Sequence, residues 1–222
     1  DVVVTEGTTG NVSTGALSTL GNQIVDEWGQ PVRLAGVNWF GFETTNFAPH
    51  GLWSRGYVEM MNQMKAEGFN TIRLPYSDEL FDAGSTPNGI DFSKNPDLES
   101  LSGLEIMDRI VAQADELGMR VILDHHRSEA GNSANESGLW YSAEYPESVW
   151  IENLTQLAMR YANNSSVVGI DLHNEPHGPA TWGDDSANDW RLAAERAGNA
   201  VLAANPDLLI IVEGVEAASS GH

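Results

Sequence analysis

The 222-residue sequence contains no cysteine and only two lysines, Lys65 and Lys94. The first absence excludes disulfides and thiol catalysis without fixing a cellular compartment. The second leaves 11 Lys and Arg against 32 Asp and Glu, a formal net charge of −21. So acidic a surface repels polyanions, and neither nucleic acid nor an anionic membrane is expected as a partner. No apolar run approaches the roughly 20 residues a membrane helix needs, and no signal-peptide succession of basic, apolar and small residues opens the chain. It begins at Asp1 without Met, as a processed chain would, and a secreted, extracellular location is the expectation. Self-repulsion of acidic, lysine-poor surfaces favours solubility, which points to salt tolerance; steep loss of activity well below about 1 M NaCl would reject it.

What is present suffices for a core: 41% of residues are hydrophobic and 8% aromatic. Residues 1–16 (DVVVTEGTTGNVSTGA) are small and polar and read as a flexible tail or linker, with 17–222 as part of one domain. QIVDEWGQPVRLAGVNWFG carries two β-rich runs around Asp26 to Pro31, which suggests a small hairpin leading into a first long strand, Val32 to Asn38. Tyr57, Met60, Met61 and Met64 keep the spacing of one helical face until Gly68, and FNTIRLP follows as a strand. Ser102 and Glu105 form a capping box ahead of Leu104, Met107, Ile110, Val111, Ala114 and Leu117, and RVILDHH comes next. Trp150, Leu154, Leu157, Ala158 and Tyr161 line a third helix before VVGIDLHNEP, and a helix around Trp190 to Ala204 precedes LLIIVEG.

These strands are short and almost continuously apolar, as strands covered by helices require. Polar residues gather at their carboxyl ends: Asn38 and Trp39, Arg73, Asp124 with His125 and His126, Asn174 with Glu175, and Glu213. Both (β/α)8 barrels and doubly wound sheets place sites there, but no Gly-rich phosphate loop follows any strand. The expected fold is therefore α/β, a (β/α)8 TIM barrel, with this chain supplying about five β/α units and an N-terminal hairpin.

Among the strand-end residues, Glu175 is the candidate proton donor. Pro176 bars a helical backbone at the residue before it, which predicts an extended strand end that holds the carboxyl rigid. Asn174 beside it can hydrogen-bond to a substrate hydroxyl. Arg73, among apolar neighbours, needs carboxylate partners and can orient a catalytic acid. His125 and His126 point to opposite faces of their strand, so only one faces the barrel interior. Asp124, His125, His126, His173 and His177 are metal-ligand types, but no helix carries a paired His motif and no metal or cofactor is expected. Trp39, Phe40, Trp53, Trp140, Tyr141 and Trp182 cluster near strand ends, where flat rings can stack on sugars, whereas Trp28, Trp150 and Trp190 read as structural.

Together, VRLAGVNWFGFET, GLWSRGY, NTIRLPYSDEL, RVILDHHR, GLWY, VVGIDLHNEPHGPATWG and DWRLAAERAGNAV resemble glycoside hydrolase family 5, particularly its bacterial endo-β-1,4-glucanases, from about Gln23 to Glu213. The resemblance implies a retaining endo-acting hydrolase of β-glucan. In that pattern Glu175 is the acid and base, Asn174 binds the 2-hydroxyl, and Arg73 and His126 support the nucleophile. Trp53, Trp39, Asn38, His125, Trp140 and Trp182 are the substrate-binding candidates. It also implies three further strands carrying the nucleophilic Glu, which the sequence lacks; Glu213 and Glu216 are the substitutes within reach. A second polypeptide, the remainder of the barrel joined after a nick following Glu216, is therefore expected. A β-mannanase or other β-glycanase, and an inactive sugar-binding fragment, are the alternatives.

Overall fold

The computed structural model describes residues 15–133 and 137–216. Most of the tail expected over 1–16, and the segment expected to be nicked after Glu216, lie outside the described residues.

A two-stranded antiparallel hairpin, β1 (Ser18–Leu20) and β2 (Gln23–Val25), comes first. It turns at Gly21, whose φ of 62° suits glycine. The turn thus lies ahead of the expected one, and around Asp26 to Pro31 only a single bridge, Val25 to Pro31, forms. Because Val32 N–H still donates to Ile24 O, residues 31 and 32 finish the hairpin. The first parallel strand, β3 (Gly36–Asn38), is correspondingly shorter than the run from Val32.

Four strand and helix repeats follow: α1 (Tyr57–Ala66), β4 (Thr71–Ser77), α2 (Gly103–Glu116), β5 (Arg120–Arg127), α3 (Glu147–Arg160), β6 (Val167–Asp171), α4 (Trp190–Ala204) and β7 (Leu209–Ile211). The sheet is five-stranded, parallel, and ordered β3-β4-β5-β6-β7 as in sequence. Right-handed crossovers in an unreversed order put every helix on one face, whereas a doubly wound sheet reverses its order. The strands are thus one arc of a (β/α)8 barrel, with the helices outside.

Alternation sorts each strand. Ile72, Leu74 and Tyr76 of β4, with Val121, Leu123 and His125 of β5, are fully buried towards the helices. Arg73, Asp124 and Asp171 occupy the opposite face. The helix layer is held by a stack of Trp140, Trp150 and Trp190, with ring centroids 5.2 to 6.2 Å apart. Trp150 Nε1–H donates to Leu172 O and Trp190 Nε1–H to Glu213 O, so both indoles pin the strand ends that carry the polar residues. Burying one such side chain stabilises the fold by about 4 to 6 kcal/mol before entropy is counted.

Candidate active site

Where β4, β5 and β6 end, side chains from neighbouring strands meet on the inner face. Arg73 is the hub. Its Nη1 lies 3.0 Å from Asp124 Oδ2, and its Nη2 lies 2.9 Å from Asp171 Oδ2 and 3.1 Å from Glu213 Oε1. The same Nη2 donates to Asn174 Oδ1 at 3.0 Å, and Nη1 reaches Asn38 Oδ1 at 3.4 Å. Asp124 and Asp171 are register partners on adjacent strands, which brings two buried carboxylates to one guanidinium.

One cation facing three carboxylates sets the local electrostatics. Burial disfavours the charge on Arg73, but Asp124, Asp171 and Glu213 outweigh it and raise the pKa further. Asp171 moves the other way from an ordinary carboxylate: burial, then the charge of Asp124, push it up to about 8 against the pull of Arg73. His126 donates from Nδ1 to Asp124 Oδ2 at 2.7 Å. Its burial opposes protonation, yet the bond to Asp124 and the charges of Asp124 and Glu43 leave its pKa raised. Glu43, raised chiefly by burial, accepts from Gly41 N–H at 2.6 Å.

Glu175 stands at the exposed rim. Its N–H donates to Glu213 Oε2 at 2.9 Å, and His177 Nδ1 lies 2.6 Å from its carbonyl oxygen. The backbone is not extended as the following proline suggested: φ is 48°, in the left-handed region. Pro176 excludes the right-handed helix and leaves two choices, and the hydrogen bonds on either side of Glu175 select the left-handed one. That conformation costs a non-glycine residue about 1 to 2 kcal/mol and persists only where its surroundings impose it. Part of the support is Gly138, whose carbonyl accepts from His177 N–H. A Cβ at position 138 would fall 2.3 Å from His177 O, so only glycine lets that loop lie against the turn.

An open groove of about 370 Å³ runs over these groups, lined in part by Asn38, Phe40, Glu43, Arg73, His126 and Glu175. Asn132, Ser133 and Asn174 complete its polar side. Since Asn174 Oδ1 is held by Arg73, its Nδ2 donors are the ones left for a ligand. From Phe40 a row of rings leads outward through His50 to Trp53, with centroid separations of 4.5 and 5.2 Å.

The structure brings Glu175, Asn174, Arg73, His126 and Asn38 together. Trp53, 54% exposed, ends the ring row, and Trp182, 55% exposed, stands on the loop between β6 and α4. Three substrate-binding expectations are corrected. His125 is fully buried because its strand position faces the helices, and it bonds Asp78 and His173. Trp140 is fully buried in the indole stack and donates to Glu147 Oε2. Trp39, 4% exposed, points inward and donates to His50 O. The candidate metal ligands fall into separate places: His125 pairs with His173 in the core, His126 with Asp124 at the groove, and His177 stands behind Glu175. Glu43, Asp171, Asn132 and Ser133 were missed. Asp171 had a signal, since it is a lone carboxylate at the carboxyl end of an apolar strand; Glu43, Asn132 and Ser133 lie in loops without periodicity.

The family model for cellulase, glycosyl hydrolase family 5, matches residues 25–222. An endoglucanase of Paenibacillus polymyxa is 54% identical over 91% of this chain, and the major extracellular endoglucanase of Xanthomonas campestris is 47% identical over 87%. The solved catalytic domain of the Xanthomonas enzyme superposes with a TM-score of 0.82 at 45% identity over 89% of this chain and 57% of that one. An endocellulase of Pyrococcus horikoshii, solved as a complex of a variant with cellotetraose, gives a TM-score of 0.82 at 40% identity over 91% and 58%. The chain spans about half the length of the curated relatives it matches, 50% and 40% for these two.

Proposed function

The chain belongs to the cellulase family, glycosyl hydrolase family 5, and we propose that it carries the proton-transfer half of an endo-acting β-1,4-glucanase that works with retention. One observation carries this reading: Asn174 is fixed by Arg73 while Glu175, next in the chain, stands beside the polar groove with its backbone held from both sides. A glucan chain lying in the groove would meet the Asn174 amide through a ring hydroxyl and the Glu175 carboxyl at the oxygen between two sugars.

In the first step the proton of Glu175 passes to that oxygen as the bond to the anomeric carbon breaks, and a second carboxylate bonds to that carbon. In the second, the Glu175 carboxylate takes a proton from water, which displaces the enzyme carboxylate and preserves the configuration. Retention needs the two carboxyls about 5 to 5.5 Å apart. Glu213 is a poor nucleophile, since one of its oxygens is spent on Arg73 and the other on Glu175 N–H. We therefore assign the nucleophile to a further segment of the barrel, covalently continuous or a separate polypeptide. The relatives' greater length and the unpaired outer edge of β7 among the described residues both support it. Secretion belongs to the same reading, as insoluble polysaccharide is met outside the cell, and one similar protein is itself described as extracellular.

Glu175→Gln in the complete enzyme tests the assignment, because the amide keeps the shape and loses the proton. Hydrolysis of soluble β-1,4-glucan is expected to fall by about 100-fold or more, the usual scale for losing an acid and base. Activity within about threefold of the parent would overturn it.

A further inference from the structure

Behind the strand end that delivers Glu175, four polar side chains are linked through the core. Asp78, His125 and His173 are fully buried, and Asn153 nearly so. Asn153 Nδ2–H donates to Asp78 Oδ1 at 2.9 Å, and His125 Nε2 lies 2.9 Å from Asp78 Oδ2. A carboxylate oxygen only accepts, so His125 Nε2 carries the hydrogen. His125 Nδ1 and His173 Nδ1 lie 2.9 Å apart, so one of these rings donates to the other. Rings enclose the pair: Tyr76 and Trp150 against His125, and Trp190 against His173.

Polar groups in an aromatic core cost more than an apolar filling would, so their value lies in what they fix. The chain runs from α3 (Asn153), through the turn after β4 (Asp78), to β5 (His125) and the exit of β6 (His173). His173 is followed directly by Asn174 and Glu175. Asn174 N–H also donates to His125 O at 3.0 Å, so the exit of β6 is tied to β5 by a ring and by the backbone. Beyond that double tie the backbone turns left-handed at Glu175. A hydrogen-bonded ring fixes both a distance and a direction, which an apolar contact does not.

We propose that Asp78, His125 and His173 are positioning residues that aim the Glu175 carboxyl at the bond to be broken. The proposal rests on the reading of Glu175 as general acid and deepens it. None of the three touches the groove; they act through the backbone of residues 173 to 175.

The test is Asp78→Asn in the complete enzyme. The replacement has the same size, but one of the two oxygens that accept from Asn153 and His125 becomes an amide NH2, which cannot accept. Two substrates separate aim from general damage. A cello-oligosaccharide releases a sugar whose oxygen must be protonated; a dinitrophenyl β-cellobioside releases a phenolate that leaves without a proton. Since kcat/KM reports the first bond-breaking step, it is expected to fall about tenfold for the oligosaccharide and less than about twofold for the aryl glycoside. An equal fall on both, or no fall on either, overturns the proposal. Should Asp78→Asn fail to fold, Asn153→Ala removes one of the two donors to Asp78. It is expected to show the same asymmetry at about threefold, and a symmetric loss overturns the proposal equally. Glu175→Gln is the companion measurement. If it still cleaves the oligosaccharide, the general-acid reading itself falls; if it does not and Asp78→Asn is symmetric, only the positioning role falls.

Discussion

Arg73 is the residue on which the strand ends converge, because a planar guanidinium can serve several oxygens at once and lysine cannot. Three carboxylates and one amide oxygen fall within 3.1 Å of its terminal nitrogens. Arg73→Met keeps the apolar stem and leaves the fully buried Asp124 carboxylate without its guanidinium. The expected loss is about 3 kcal/mol or more at pH 7, since a buried ion pair broken on one side leaves an unmatched charge. Urea unfolding at pH 7 measures it. A change below about 1 kcal/mol at pH 7 would show that the hub holds nothing. Arg73 was legible in sequence because a lone arginine in an apolar strand demands partners. Asp171 was less so, since an aspartate two residues before His173 reads equally well as a strand terminator. His125 shows the limit of counting: alternation told that one histidine of the pair faces inward, but which one depends on register.

At the scale of elements, the sequence carried most where its pattern is periodic. Helix α2 was legible in both its apolar stripe and its start. Ser102 Oγ accepts from Glu105 N–H at 3.3 Å, and Glu105 Oε2 accepts from Ser102 N–H at 2.8 Å. Two of the helix's first amides are thereby satisfied. Ser102→Ala should cost about 1 kcal/mol, read as a lower urea midpoint with an unchanged slope; no shift would mean that water caps the helix equally well. The hairpin and β3 were drawn less well, because Val32 has a strand-like side chain but its N–H is used to close the hairpin onto Ile24 O. Loops were opaque for a different reason. Trp140 and Trp53 both sit beside strand ends, yet one is fully buried and the other half-exposed. Nothing in their neighbours' spacing encodes that depth.

For the whole molecule, the formal charge of −21 and the protons kept at the groove act together on stability. Asp171, His126 and Glu43 all have raised pKa values in the folded protein. The folded state therefore holds protons that the unfolded chain releases, and stability falls as pH rises. For Asp171 the contribution is full below about 4 and is lost through about 8. Asp184 and Glu105 are shifted down, chiefly by hydrogen bonds, and their contribution is lost as pH falls through the acid range. Stability should therefore be highest near pH 4 to 5 and fall steadily towards pH 8. Urea titrations across this range measure the slope, which Asp171→Asn should flatten above pH 6; a slope unchanged by that substitution would remove Asp171 as its source.

The contact between Arg73 and Glu213 has one more consequence. They come from β4 and the end of β7, three strand intervals apart, which on a flat sheet is about 14 Å. Their charged tips nevertheless meet at 3.1 Å on the inner face. Drawn together at their tips, the two ends favour a bent ribbon over a flat one, so part of the curvature of the arc is held by one electrostatic chord. The inner wall at the strand ends is drawn into shape by these residues themselves, whatever else encloses it.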